Sequence, residues 1–226
     1  SVVTIGDLSL NYHPHLLKLD YWDENEYRER EHDNSKRGVS INNLQFGRLN
    51  SQGFYLWDGG GDSERYSYGN TLEWPCQKGN AKFYSIDFKD MSQGIRGDPK
   101  LIQKLKALET NQAFNEKVAL GGLLAVLDQE QDGAKTNTYL WDLKGEYQLS
   151  DVLTTTLRYI DFPVTFNPVY RDRTPRYDQY TNRRLAWNEL DRYSDQRGVI
   201  FGLAHQKGND FLEVELANLT DHNIEY

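Results

Sequence analysis

The chain has 226 residues with a formal net charge of −8, from 26 Lys plus Arg against 34 Asp plus Glu, which argues against a charge-driven grip on nucleic acid. A single Cys excludes a disulfide scaffold and a zinc ribbon, and no run of about 18 apolar residues is present to form a spanning helix. An aromatic content of 13 %, with 15 Tyr and 5 Trp, argues for a packed fold rather than disorder, and the length suits a single β domain over 1–226, whole or as a piece of a larger barrel.

The chain opens on Ser1 with no basic segment leading into an apolar stretch, so the expectation is an exported bacterial protein whose leader has been removed, or a piece of a longer chain. The first predicted strands, Val3 to Tyr12 and Leu16 to Trp22, flank His13-Pro14-His15, where proline belongs in a turn because it cannot donate to a ladder. The mixed-charge stretch 23–37 reads as a surface loop or as part of a helix with neighbouring Glu and Arg. Ser40 to Leu49 and Phe54 to Trp57 are strands around a predicted turn at Asn50-Ser51-Gln52-Gly53, and Gly59-Gly60-Gly61 reads as a loop. Tyr66 to Trp74 and Lys82 to Phe88 alternate with period two. In the second of these, Tyr84, Ile86 and Phe88 share a face opposite Ser85 and Asp87.

The spacing of Leu101, Leu105 and Leu108, with Asp98 as cap and Pro99 at the first position, predicts one short helix over Pro99 to Phe114. Val118 to Leu127 is apolar on both faces, and periodicity leaves strand and buried helix open. Thr138 to Leu149 is the clearest strand. Tyr139, Trp141, Leu143, Gly145, Tyr147 and Leu149 lie on one face, and Thr138, Leu140, Asp142, Lys144, Glu146 and Gln148 on the other. It turns at Ser150-Asp151 into Val152 to Phe162, whose three threonines favour a strand. Val199 to Gln206 and Phe211 to Asn218 form a last hairpin around Lys207-Gly208-Asn209-Asp210.

Hairpins such as YLWDLKGEYQLSDVLTTTLRYIDF and RGVIFGLAHQKGNDFLEVELANL, with aromatics near the strand ends (Trp22, Trp57, Trp74, Tyr139, Tyr159), resemble Gram-negative outer-membrane β-barrel proteins. The resemblance is one of style, covers about half of the chain and names no particular family. It implies an all-β antiparallel meander closed into a barrel of about a dozen strands in a bacterial outer membrane, with apolar faces toward lipid and Asp142, Lys144, Glu146, Arg158, Ser85 and Asp87 lining a lumen. The required alternation of short and long connections holds only if a further strand lies within Lys89 to Lys117. The alternative is a soluble β-sandwich or jelly roll, periplasmic or extracellular, that binds or cleaves a polysaccharide.

Arginine forks suit carboxylates and phosphates, and tyrosines stack on flat or sugar rings. Arg158, Arg171, Arg173, Arg176, Tyr177, Arg183 and Arg184 are therefore the candidate ligand-binding residues, for a small polar or anionic solute such as an acidic sugar. The competing reading is a solvated segment whose opposite charges pair with one another. His13 and His15, one residue apart on a strand, could share a metal with Asp20, although Pro14 favours a plain turn. Asp87 with Asp90, or Glu213 with Glu215, are acidic pairs that could serve glycosidic-bond chemistry, or metal-dependent nuclease chemistry as a third reading. Such spacings also arise by chance in an acidic chain. Cys76 has no recognisable base beside it, and the triple glycine lacks the Lys-Ser/Thr of a phosphate loop. No cofactor and no reaction are expected. The expected partners are a lipid bilayer, a small solute and a possible protein.

Overall fold

The structure is a computed structural model that describes residues 1–8, 10–13, 16–19, 36–58, 65–90, 101–163, 165, 166, 168 and 196–221. The described residues form thirteen strands and no helix: β1 (Val2–Asp7), β2 (Leu10–His13), β3 (Leu17–Leu19), β4 (Lys36–Phe46), β5 (Leu49–Asp58), β6 (Arg65–Cys76), β7 (Gly79–Asp90), β8 (Leu101–Ala113), β9 (Val118–Gln131), β10 (Ala134–Ser150), β11 (Leu153–Phe162), β12 (Gln196–Lys207) and β13 (Asp210–Asp221). Eleven of them build one antiparallel meander in the order β1-β4-β5-β6-β7-β8-β9-β10-β11-β12-β13. β2 and β3 form a separate two-stranded hairpin. The sheet is open, with β1 and β13 as its edges.

The predicted helix over Pro99 to Phe114 is corrected to a strand. β8 pairs along its whole length with β7 and β9, and its burial alternates, with Gln103, Leu105 and Ala107 buried and Lys104, Lys106 and Leu108 exposed. Leu101 and Leu105 fit helical and strand spacing alike, and two complete hydrogen-bonded ladders decide for the strand. This is also the further strand that the alternation of connections requires between Lys89 and Lys117. Val118 to Leu127 likewise lies in a strand, β9.

Two turns move. The chain reverses at Gly47-Arg48, where Gly47 has φ +64°, and Asn50 to Gly53 belongs to β5. The opening pair is also different: β1 joins the large sheet through β4, Val3 opposite Ile41 and Ile5 opposite Val39, and Leu10–His13 pairs with Leu17–Leu19 apart from it. The β9–β10 connection is Asp132-Gly133, both at positive φ (49° and 83°), the conformation that suits a two-residue hairpin and that glycine adopts without steric cost.

The short turns 47–48, 77–78, 114–117, 151–152 and 208–209 lie at one end of the sheet. The connections 8–35, 59–64, 91–100 and 163–195 lie at the other, together with Asp132-Gly133. Side chains directly opposite across a ladder share a face, so the register assigns each residue to a face. The face that holds Leu140 is called inner here. Toward the long-connection end it carries Phe54, Leu56, Tyr84, Ile86, Leu105, Ala107, Ala125, Leu127 and Phe162 in one buried cluster, which Leu8, Leu16 and Phe166 join from the connecting segments. Phe166 packs edge-on against Phe162, ring centroids 6.0 Å apart.

Leu140 is 0 % exposed and Leu157, on the outer face, is 58 % exposed. Leu140→Ala is expected to cost about 2–5 kcal/mol as a cavity-forming change, and Leu157→Ala less than about 1 kcal/mol. Denaturant unfolding of the two variants measures the difference.

Candidate functional site: the charged half of the inner face

Below the apolar cluster the same face turns polar. Cross-strand rows place Asn50, Glu73, Lys82 and Glu109 side by side over β5 to β8, and Glu146, Thr156, Gly202 and Glu215 side by side over β10 to β13. Asp142, Lys144, Glu146 and Arg158 all lie on this face, as the sequence predicts. Glu213 and Glu215 share it too, opposite Ala204 and Gly202.

Pairing within this cluster follows from register. Arg158 stands directly opposite Lys144, and like charges in that position repel. The guanidinium turns instead to the diagonal neighbour, donating from Nε to Asp142 Oδ1 and from Nη2 to Asp142 Oδ2, both at 2.7 Å. This is a fork-to-fork geometry with a fixed orientation. Lys144 reaches along its own strand to Glu146, Nζ to Oε1 2.6 Å. Farther round, Asn80 donates to Glu73 at 2.7 Å, and the buried Tyr84 hydroxyl donates to Glu109. A cleft of about 260 Å³ opens between these groups, lined by Glu109, Asn111, Asp142, Lys144 and Arg158. Chemically it is a wall of carboxylates, amides and paired cations, suited to holding a small polar solute.

Ser85 and Asp87 are corrected to the outer face. Tyr84, Ile86 and Phe88 take the inner positions on β7, so Asp87 points outward opposite Lys104, and Ser85 opposite Lys106. Either set of an alternating strand can face in; on β7 the neighbouring Leu105 and Ala107 of β8 and Gly69 of β6 complete an apolar layer that the aromatic set fills.

Asn70, Lys89, Lys104 and Lys106 share that outer face, and toward β10 to β12 its middle is apolar and exposed. Tyr139, Trp141, Leu143, Tyr147 and Leu149 project from β10, Leu157 and Tyr159 from β11, and Val199 and Phe201 from β12. Trp74 is 59 % exposed and Leu143 39 %. On β5 and β6, Tyr55, Tyr66 and Tyr68 form a ladder of near-parallel rings, 6.4 and 6.5 Å between centroids.

Of the sequence-predicted ligand residues only Arg158 lies among the described residues. Arg171, Arg173, Arg176, Tyr177, Arg183 and Arg184 lie outside them. His13 falls in β2, whereas His15 and Asp20 lie outside the described residues. Among the described residues no group of three His, Cys, Asp or Glu is placed to hold a metal. Glu73, Lys82, Asn80 and Glu109 are inner-face residues that sequence reading missed. Glu73 and Lys82 each sit on a strand whose alternation was legible, and only the register brings them beside Glu109.

Comparison with protein-family models, with curated proteins and with solved structures gives no match for this chain.

Asp142 and Arg158 side chains are each 19 % exposed, against 48 % and 43 % for Lys144 and Glu146. A double-mutant cycle on Asp142→Ala and Arg158→Ala is expected to give a coupling of roughly 0.5–3 kcal/mol. The same cycle on Lys144 and Glu146 should give no more than about 1 kcal/mol, because exposed pairs are screened by solvent. Thermal or denaturant unfolding reads both.

Proposed function

We propose that the protein is an outer-membrane β-barrel that lodges a small polar solute on its charged inner wall. One observation carries the reading: from Tyr139 to Leu149 on β10, at Leu157 and Tyr159 on β11 and at Val199 and Phe201 on β12 the exposed outer side chains are aromatic and aliphatic, while the Asp142–Arg158 and Lys144–Glu146 ion pairs sit on the inner face at the same levels. A soluble sheet shows the reverse arrangement, with polar residues toward water and apolar ones toward the core.

Dimensions support the assignment. Tyr139 to Leu149 is ten residue steps of β10, about 33 Å of extended chain and about 25 Å high once tilted as barrel strands are, which is the height of a lipid-facing band. The ring-bearing residues of β10, Tyr139 and Trp141 at one end and Tyr147 toward the other, bracket Leu143 and Gly145, as interfacial girdles do. The outward charges of β8 fit the same frame. Lys106 lies level with Val126 and Tyr139 at the margin of the band, and Lys104 level with Asp128 and Asn137 beyond it, where a lysine stem extends its ammonium into the polar layer.

The inner wall favours lodging over free passage. Leu8, Leu16 and Phe166 pack on the apolar half toward the long connections, so the charged half forms a chamber that faces the short turns. With the Arg158 fork engaged by Asp142, and with Glu73, Glu109, Glu146 and Glu215 around it, the chamber suits a neutral or cationic polar solute better than an anion.

The expected behaviour is extraction only with detergent, resistance to alkaline washing from membranes, and faster migration in SDS unheated than boiled. Leu143→Asp should reduce membrane assembly, with a cost of about 2–4 kcal/mol or less for an acidic group at mid-band. Elution of the wild-type protein as a monomer without detergent would sink the proposal and favour the soluble polysaccharide-binding alternative.

A further inference from the structure

We infer that the outer face carries a shaped site for one acyl chain of an anionic phospholipid, a groove over β8 to β11 whose headgroup end lies at Lys78 and Lys117; the inference rests on the bilayer reading above. The groove is a hollow of about 690 Å³ with an almost wholly apolar lining. Register makes it. Gly122 and Gly145 hold outer positions, opposite Leu143 and Leu120. Between Leu108 on β8 and Leu157 on β11 these glycines contribute no side chain, and the surface sinks toward the backbone. Leu143 and Leu120 lean over them, with Cδ2 atoms 2.8 and 3.3 Å from where a Cβ would stand, so the floor is lined with methyl groups. Thr110 also lies in the groove, and its hydroxyl donates to Asn80 O at 3.4 Å, so that its O–H is paired within the protein.

Shape and direction select the occupant. The groove follows β8 from Leu108 to Phe114, six residue steps or about 20 Å of strand. At the tilt of barrel strands this is about 15 Å of a lipid-facing band about 25 Å tall. The groove is therefore a long trough that runs with the strands through the apolar band and ends beside the short turns 77–78 and 114–117. An acyl chain lies in a bilayer in the same way, extended across the hydrocarbon with its headgroup end at the surface. A side chain from a partner protein fills a pocket, not a trough of this length.

The short-turn end supplies the charge that a phosphate needs. Lys78 Nζ donates to Phe114 O at 3.2 Å, which holds the ammonium at the last residue of the groove. An ammonium has three N–H donors, so N–H groups remain for a phosphate oxygen. Lys117 stands in the neighbouring turn, and Glu116 is the one carboxylate of these two turns. Among the described residues no ion pair engages either lysine. Lysines beside a membrane surface attract anionic headgroups. An apolar trough that ends on two ammonium groups thus matches a molecule with an acyl chain at one end and a phosphate at the other.

The test offers the purified chain in detergent equal amounts of phosphatidylglycerol and phosphatidylcholine with the same acyl chains, and native mass spectrometry counts the lipid that stays bound. One phosphatidylglycerol per chain should be retained, severalfold more than phosphatidylcholine. Lys78→Glu with Lys117→Glu, which leaves every strand untouched, should bring the two lipids level. Gly145→Leu, which fills the floor beside Leu120, should lower retention of both, and Thr110→Trp should do so from β8 without replacing a glycine. A phosphatidylglycerol with a photoactivatable acyl chain locates the site, with label concentrated on Leu108, Leu120, Leu143 and Leu157. Label spread evenly over the outer face, or a preference for phosphatidylglycerol unchanged in the lysine variant, overturns the site. Detergent dependence of the same preparation then leaves the bilayer reading in place. A wild-type protein that is monomeric without detergent sinks the bilayer reading, and the groove stands in that case only if the same four leucines take the label.

Discussion

Nearest-neighbour antiparallel pairing is the constraint on which the rest depends. Once β8 is registered against β7 and β9, every side chain of the strand belongs to one of two faces, and a one-residue slip would exchange the two sets. Such a slip on β10 would send Leu140, Asp142, Lys144 and Glu146 outward among apolar neighbours and bring Tyr139, Trp141 and Leu143 onto the layer of Leu105 and Leu127. The cost falls on both faces at once, which is why register is strongly specified here. The three glycine-bearing turns at Gly47-Arg48, Asp132-Gly133 and Gly208-Asn209 fix it locally at a strand end.

The inner face changes character along its length, and the change explains how the charged half is held. Toward the long connections the strands present Leu56, Ile86, Leu105, Leu127 and Leu140, closed over by Leu8, Leu16 and Phe166. This cluster is the densely packed part of the molecule and holds neighbouring strands at fixed separation. Farther along the same strands, the inner side chains are Glu73, Lys82, Glu109, Asp142 and Arg158. Their geometry is set by the strands emerging from the packed half. The diagonal Asp142–Arg158 fork is a consequence: direct opposition of Arg158 and Lys144 is unfavourable, and the carboxylate two residues away satisfies both nitrogens.

Much of this was legible in the sequence, and the misreadings have physical causes. The β10–β11 hairpin and the shared face of Asp142, Lys144, Glu146 and Arg158 follow from strict alternation across a tight turn, which is local information. The faces of β7 do not, because alternation separates Tyr84, Ile86 and Phe88 from Ser85 and Asp87 without saying which set points inward; that depends on Gly69, Leu105 and Ala107 of the neighbouring strands. β8 was misread as a helix because Leu101 and Leu105 satisfy two periods at once, and ladder partners settle what spacing leaves open. The pairing of β1 with β4 spans the whole of 8–35 and leaves no trace in either segment alone. Most of the arginine-rich candidate site, from Arg171 to Arg184, lies outside the described residues. The carboxylates that join Arg158 in the structure, Glu109 and Asp142, come from β8 and β10, strands whose order only the meander supplies.

The two kinds of ladder in this sheet differ in the chain length that they close. Most strands pair with their successor across two to ten residues, so each hairpin pays only a small closure entropy and can form nearly independently of the others. β1 with β4 and β11 with β12 are the exceptions, closing connections of 28 and 33 residues. Closure cost rises only logarithmically with length, so these two joints weaken the sheet little at equilibrium, though they delay its assembly. Both long connections also supply the apolar cover: Leu8 and Leu16 come from the first, Phe166 from the second. The same segments that are slowest to close thus complete the packed half of the inner face. The cluster around Leu140 therefore reaches its full burial only when both non-local joints are made, and this couples the ends of the meander to its centre.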